Sequence, residues 1–189
     1  MNTLKYQTNN YARKYFDYIY NEDRVKTIYI PYPGIFLMYS GKLIIKDKNK
    51  KILVKKGEYI FFKGDIITTI HKKNCGKELF CGIYIAFSKP CLFKFYNDFC
   101  SRENIFEKKS LPNNITKLPC TPYIQSLYVS LIPYLEWKIK PSNSILELKR
   151  QESIHTLLMI DEKFHSSLFD FINLTQNHMP CFVNVDTQN

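Results

Sequence analysis

At 189 residues the chain has room for one well-buried core, or one core with a helical appendage, and two independent domains would be cramped. Its 45% hydrophobic and 23% charged residues exclude the hydrophobic poverty of a disordered chain, and its longest apolar runs, such as Ile83 to Phe87, fall far short of the roughly 20 residues of a membrane-spanning helix. Lys plus Arg number 27 against 17 Asp plus Glu, a formal charge of +10. Arginine, the fork that reads bases, occurs only at the scattered Arg13, Arg24, Arg102 and Arg150, so the lysine excess reads first as a solvating surface.

Met1 to Asn10 is polar and lacks the apolar core of a signal peptide, which points to a cytoplasmic, reduced protein. Consistent with that, the cysteines Cys75, Cys81, Cys91, Cys100, Cys120 and Cys181 form no C-x-x-C pair, so a zinc knuckle has no support and buried free thiols are expected.

From Thr27 to Phe87, short apolar runs are separated by turn signals about every ten residues, the spacing of a sandwich or barrel. The predicted strands are Thr27 to Ile30, Ile35 to Tyr39, Lys42 to Lys46, Ile52 to Lys55, Tyr59 to Lys63, Ile66 to Ile70 and Glu78 to Phe87. Ser40-Gly41 marks a tight turn, and Asp47 to Lys51 a polar hairpin tip between segments of alternating polarity.

After Phe87 the apolar period lengthens from two towards 3.6. Ser88 caps a first helix with Pro90 in its opening turn and Leu92, Phe95, Tyr96 and Phe99 on one face, ending near Arg102. Glu103 to Pro119 reads as an irregular connector. A second helix opens at Thr121-Pro122, and Pro133 is expected to kink or end it. A third starts near Ser142 or Ser144 and carries Ile145, Leu148, Glu152, Leu157 and Leu158. A fourth runs from Ser166 until Pro180 stops it.

The expected fold is therefore α+β: a small antiparallel cupin-like β-barrel or jelly roll followed by a C-terminal set of helices. The barrel and its first helix would occupy residues 1–102, the connector 103–119, a helical dimerisation or interaction region 120–180, and a tail 181–189. Four helices cannot all hide on so small a barrel, so a free apolar face is expected to want a partner.

No catalytic constellation emerges. A metal-binding barrel needs two histidines and a carboxylate converging from neighbouring strands, followed by a third histidine, whereas the strand block holds His71 alone, read as a strand-end residue facing water. Nucleophile elbows, P-loops and dinucleotide fingerprints are missing, and His155 and His165 read as structural. A non-enzyme without metal or cofactor is the expectation. If the barrel encloses an effector, Tyr39, Phe62 and Tyr84 with one lysine would line the pocket.

The segment FLMYSGKLIIKDKNKKILVKKGEYIFFKGDIITTIHKKNCGKELFCGIYIAF, Phe36 to Phe87, resembles the N-terminal domain of AraC-family transcription activators, in character the branch that governs type III secretion. The features that carry the resemblance are Ser40-Gly41, the hairpin Asp47 to Lys51, Leu53 before Lys55 to Glu58, the aromatic strand Tyr59 to Phe62, and Lys63-Gly64. Farther on, Leu148-Lys149, Glu152 and Leu157-Leu158 are similar to the helix through which such regulators dimerise. Leu168 to His178 is similar to the helix leading into the family's linker. The resemblance implies a regulatory, virulence-related module that forms a homodimer and is controlled by a protein antagonist or a small-molecule effector.

Ile145, Leu148, Lys149, Glu152 and Thr156 are the expected dimer contacts, since Leu148, Glu152 and Thr156 recur at four-residue spacing. DNA would be reached only through the family's helix-turn-helix units, which are not found before the sequence stops about eleven residues after His178. The alternative reading is a cyclic-nucleotide-like jelly-roll sensor of a small molecule. Its phosphate cassette would need a nearby guanidinium, and no arginine lies between Arg24 and Arg102.

Overall fold

The computed structural model describes residues 16–21, 24–47, 50–76, 78–100, 111–137 and 139–176. Its strands form two antiparallel sheets. The first has five strands: β1 (Phe16–Asn21), β8 (Phe80–Ala86), β3 (Gly34–Ser40), β6 (Tyr59–Phe62) and β9 (Ile115–Leu118), in that spatial order. The second has four, ordered β2 (Arg24–Ile30), β7 (Ile66–Lys73), β4 (Lys42–Asp47) and β5 (Lys50–Lys55). The sheets stay separate in hydrogen bonding. The cupin-like α+β expectation therefore holds as an open sandwich with helices on one side, not as a closed barrel.

The central strands of the five-stranded sheet are buried on both faces, which explains their sequence. β3, β6 and β8 read as nearly unbroken apolar runs, GIFLMYS, YIFF and FCGIYIA, because alternate side chains enter two different cores. Ile35, Leu37, Phe61, Ile83 and Ile85 pack with the helices. Phe36, Met38, Ile60 and Phe62 pack with Leu43, Ile45, Val54 and Ile70 of the opposite sheet. By contrast β7 alternates buried with more exposed positions, as a strand with one solvated face should.

The helical side follows the capping signals. Ser88 Oγ accepts from Cys91 N at 3.3 Å to open α1 (Lys89–Phe95), which continues as a π-helical turn, Tyr96–Cys100; Arg102, the expected end, lies outside the described residues. Thr121 Oγ1 accepts from Ile124 N at 3.3 Å to open α2 (Pro122–Glu136), and Ser142 Oγ accepts from Ile145 N at 3.3 Å to open α3 (Asn143–Ile160). Pro133 stays inside α2, which ends one turn later at Trp137. The proline is tolerated there because both it and Val129, whose carbonyl loses an N–H donor, are exposed. α4 (Lys163–Gln176) begins ahead of Ser166, with Asp161 Oδ1 accepting from Lys163 N at 2.9 Å. Pro180 and the tail 181–189 lie outside the described residues.

Two sequence expectations are corrected. Part of the expected connector is β9, paired antiparallel with β6 from Tyr59↔Leu118 to Phe62↔Ile115; residues 103–110 lie outside the described residues. β1, which no sequence signal marked, closes the other edge by pairing with β8.

Gly82 in β8 shows how tightly the two layers meet. A Cβ there would collide with the Phe36 ring, with Cε2 only 2.7 Å away, and would lie 2.9 Å from the Leu37 carbonyl. Phe36 in turn stacks on Phe80 with centroids 6.3 Å apart and planes 12° from parallel. Gly82→Ala is therefore expected to lower unfolding stability by about 1–3 kcal/mol through overpacking. Denaturant unfolding would measure this, and adding Phe36→Leu should restore part of the loss.

Candidate functional site

The sequence placed Tyr39, Phe62 and Tyr84 together, and the structure separates them. Phe62 and Tyr84 lie between the sheets, edge to face at 5.9 Å and 83°. Tyr39 is on the other side of the same sheet. On β3 it shares parity with Ile35 and Leu37, so it faces the helices, where its hydroxyl donates to Glu136 Oε1 at 2.8 Å. Strand parity, invisible where both faces are apolar, makes the difference.

Within the inter-sheet space the Tyr84 hydroxyl donates to the Tyr32 carbonyl at 2.9 Å, and burial pushes its phenol above the usual tyrosine range. A lysine also reaches this space: β7 alternation puts Lys72 on the inward side with Ile66, Thr68 and Ile70. It is 6% exposed, with its ammonium 5.5 Å from the Phe80 ring centroid. That inward parity of I-I-T-T-I-H-K was the signal that could have singled out Lys72, and it was missed because lysine is normally a surface residue.

On the helical side Tyr39 belongs to an aromatic cluster. Tyr128 of α2 lies 6.5 Å from Tyr39 and edge-on at 5.8 Å from Tyr59, with its hydroxyl 3.4 Å from the Met38 carbonyl. Burial raises the Tyr128 phenol, with Tyr59 and Tyr39 adding to the shift. Burial likewise raises Tyr59, assisted by Cys120.

The expected dimer contacts spread around α3. Leu148 is 58% exposed, whereas Thr156 is 4% exposed and part of the internal packing. A four-residue step advances about 40° beyond a full helical turn, so Leu148, Glu152 and Thr156 spiral from solvent into the core. Ile145 is half-buried. Lys149 Nζ and Glu152 Oε2 pair with each other at 2.7 Å. Met159 is exposed, as is His155, whose ring meets Phe95 and Phe99 at 4.6 and 4.9 Å. The side chains beyond Leu148 that α3 offers outward are thus His155 and Met159, not Thr156.

His165 is buried, 5.1 Å from the Phe169 ring, and His71 stands on the outward parity of β7 opposite Val25 and Ile44. Cys81 and Cys100 are buried, Cys75 and Cys91 partly so, and Cys120 exposed, which corrects the expectation that all the thiols are buried. Burial pushes the Cys91 thiol up to about 11. Cys181 lies outside the described residues. Among the described residues no group of three His, Cys, Asp or Glu is placed to hold a metal, and no helix is long and apolar enough to cross a membrane.

The Tyr84 phenol has a sign that can be checked. Its pKa is raised in the fold, so the stability it contributes is complete below the unfolded tyrosine value near 10 and is lost as pH rises above it. Tyr84→Phe should cost about 0.5–1.5 kcal/mol at neutral pH from the missing hydrogen bond and should flatten the alkaline limb of a stability–pH curve.

Residues 33–171 match the family of the ExsA N-terminal regulatory domain. No curated protein sequence matches the chain. Among solved structures it is similar to ToxT of Vibrio cholerae in an apo variant, with a TM-score of 0.54 at 10% identity over 90% of this chain and 67% of that one. It is also similar to wild-type ToxT with bound unsaturated fatty acid, at 0.53 and 9% over 89% and 65%. ToxT bound to a methylnaphthalenyl butenoic acid gives 0.52 and 12% over 90% and 69%. At such identities the likeness establishes the shared fold, and this chain spans about two thirds of the ToxT length. The family match runs from just before β3 into α4 and takes in the five-stranded sheet apart from β1, the opposite sheet from β4 onward and most of the helical layer, so the chain belongs to the ExsA N-terminal regulatory domain family of AraC-type transcription activators.

Proposed function

We propose that this chain is a cytoplasmic, non-catalytic regulatory module that pairs with a second copy through α3 and is controlled by contact with a regulatory protein. In this reading the chain does not itself read operator DNA, which in such regulators is the work of helix-turn-helix units. One observation carries the reading: the space between the sheets is occupied by interlocked rings of Phe36, Phe62, Phe80 and Tyr84, while α3 holds Leu148 and Met159 out to solvent.

Ile145, Leu148, Glu152, His155 and Met159 are spaced alternately by three and four residues, the a/d seam of helices that pair. The seam refines the sequence expectation, since it keeps Ile145, Leu148 and Glu152 and leaves out Lys149 and Thr156. Leu148→Ala is expected to weaken self-association by about tenfold or more through lost apolar burial. Sedimentation equilibrium of the wild type and of Leu148→Ala tests it; identical monomer fractions would remove the pairing role of α3.

A second reading, receipt of a small carboxylic acid between the sheets, is favoured by the buried ammonium of Lys72; two of the ToxT structures hold an unsaturated fatty acid and a butenoic acid. A carboxylate reaching Lys72 would gain a charge-assisted pair inside a low-dielectric core. Calorimetric titration with an unsaturated fatty acid should then give saturable binding that Lys72→Met abolishes, and an absence of heat with the wild type would dismiss this reading.

A further inference from the structure

Among the described residues nothing covers the outer face of the four-stranded sheet, which is organised in cross-strand rows. Register places Val25 beside His71, His71 beside Ile44 and Ile44 beside Leu53, a mostly apolar row across all four strands. On one side runs a row of Lys73, Lys42 and Lys55, and on the other the row Thr27, Thr69, Lys46 and Lys51. Tyr29 and Ile67 extend the apolar surface past the threonines. Val25 is 60% exposed, Ile67 56% and Tyr29 52%. No outward position of these strands is acidic among the described residues. The nearby carboxylate of Asp65, in the turn before β7, already accepts from the Tyr29 hydroxyl at 2.8 Å.

Neighbouring strands lie about 4.8 Å apart and same-face residues along a strand roughly 7 Å apart, so lysines border the apolar row within reach of one ligand. We propose that this face docks an acidic amphipathic segment of another protein, its apolar side chains on the Val25–Ile44–Leu53 row and its carboxylates on the flanking lysines. The inference rests on the protein-controlled reading above and names the surface and the partner's chemistry. Charge complementarity selects the occupant. A second copy would bring the same lysines and repel. A nucleic acid duplex would satisfy the lysines but press a hydrated phosphate backbone onto Val25, Ile44 and Leu53. A bilayer surface would meet the lysines first, because their side chains are longer than the valine, isoleucine and leucine between them. Apolar side chains projecting from a protein fill that trough.

The test is methyl NMR of the full chain titrated with a synthetic helical peptide carrying leucines on one face and glutamates beside them. Poly-glutamate, a DNA duplex and phosphatidylserine vesicles are run in parallel. The expected result is that the leucine-glutamate peptide shifts the methyls of Val25, Ile44, Leu53 and Ile67 far more than the other probes do. Binding should strengthen as salt is lowered, and Lys42→Glu combined with Lys55→Glu should weaken it roughly tenfold. Leu148→Ala should leave it unchanged. Shifts confined to α3 methyls would overturn the surface while leaving protein control standing. Silence of the sheet methyls, or an equal response to poly-glutamate, the duplex or the vesicles, would overturn the proposal outright.

Discussion

Strands buried on both faces have little room for polar side chains, and β3, β6 and β8 at the centre of the five-stranded sheet live under that constraint. Ile35, Leu37, Ile60, Phe61, Ile83 and Phe80 are all essentially without solvent contact, each contributing on the order of 1.5–3 kcal/mol of burial before conformational entropy is subtracted. The sheet is therefore the common wall of two cores. Remove either neighbouring layer and one complete apolar face is left in water, so neither the helices nor the second sheet is an optional appendage. Gly82, where the Phe36 ring crosses the strand, and Gly34, where the Tyr84 ring would stand 2.9 Å from a Cβ, are the points at which the wall is thinned to let large rings fit.

The layered stack also separates the two outward surfaces. The helices pack on one side of the central sheet and the lysine-bordered sheet lies on the other, so a molecule seated on one does not sterically exclude a molecule on the other. Polar ties cross the helical boundary at chosen points. Tyr39 reaches Glu136 at the end of α2, and Tyr128 reaches back to the Met38 carbonyl, orienting α2 on β3 with directional bonds where packing alone would allow sliding. Leu111 N donates to Ser167 Oγ at 3.0 Å, which ties the chain entering β9 to α4.

The chain belongs to the ExsA N-terminal regulatory domain family. A regulatory domain needs surfaces whose occupation changes, and surfaces are built from exposed apolar side chains and uncompensated charge. Leu148 and Met159 on α3, and Val25, Tyr29 and Ile67 on the outer sheet, are among the large apolar side chains exposed to solvent.

The local physics was legible in the sequence. Ser88, Thr121 and Ser142 cap the helices they were expected to cap, since a cap is an interaction within four residues. Glycine and polar punctuation set strand limits from β3 to β8 for the same reason, and element order with the motifs around Lys55 to Glu58 carried the family. What remained hidden was non-local. The four residues of β9 carry too little pattern to show as a strand, and they become one only because β6, far back in the chain, offers an open edge. Tyr39 could not be assigned a side, because in β3 both faces are apolar and alternation says nothing about which core is which. Thr156 does not share a face with Leu148, since each four-residue step drifts about 40° round α3, and the assembled layers bury it. Periodicity determines which residues share a face; only the assembled layers decide what that face touches, because burial belongs to the pair of surfaces in contact and not to either segment alone.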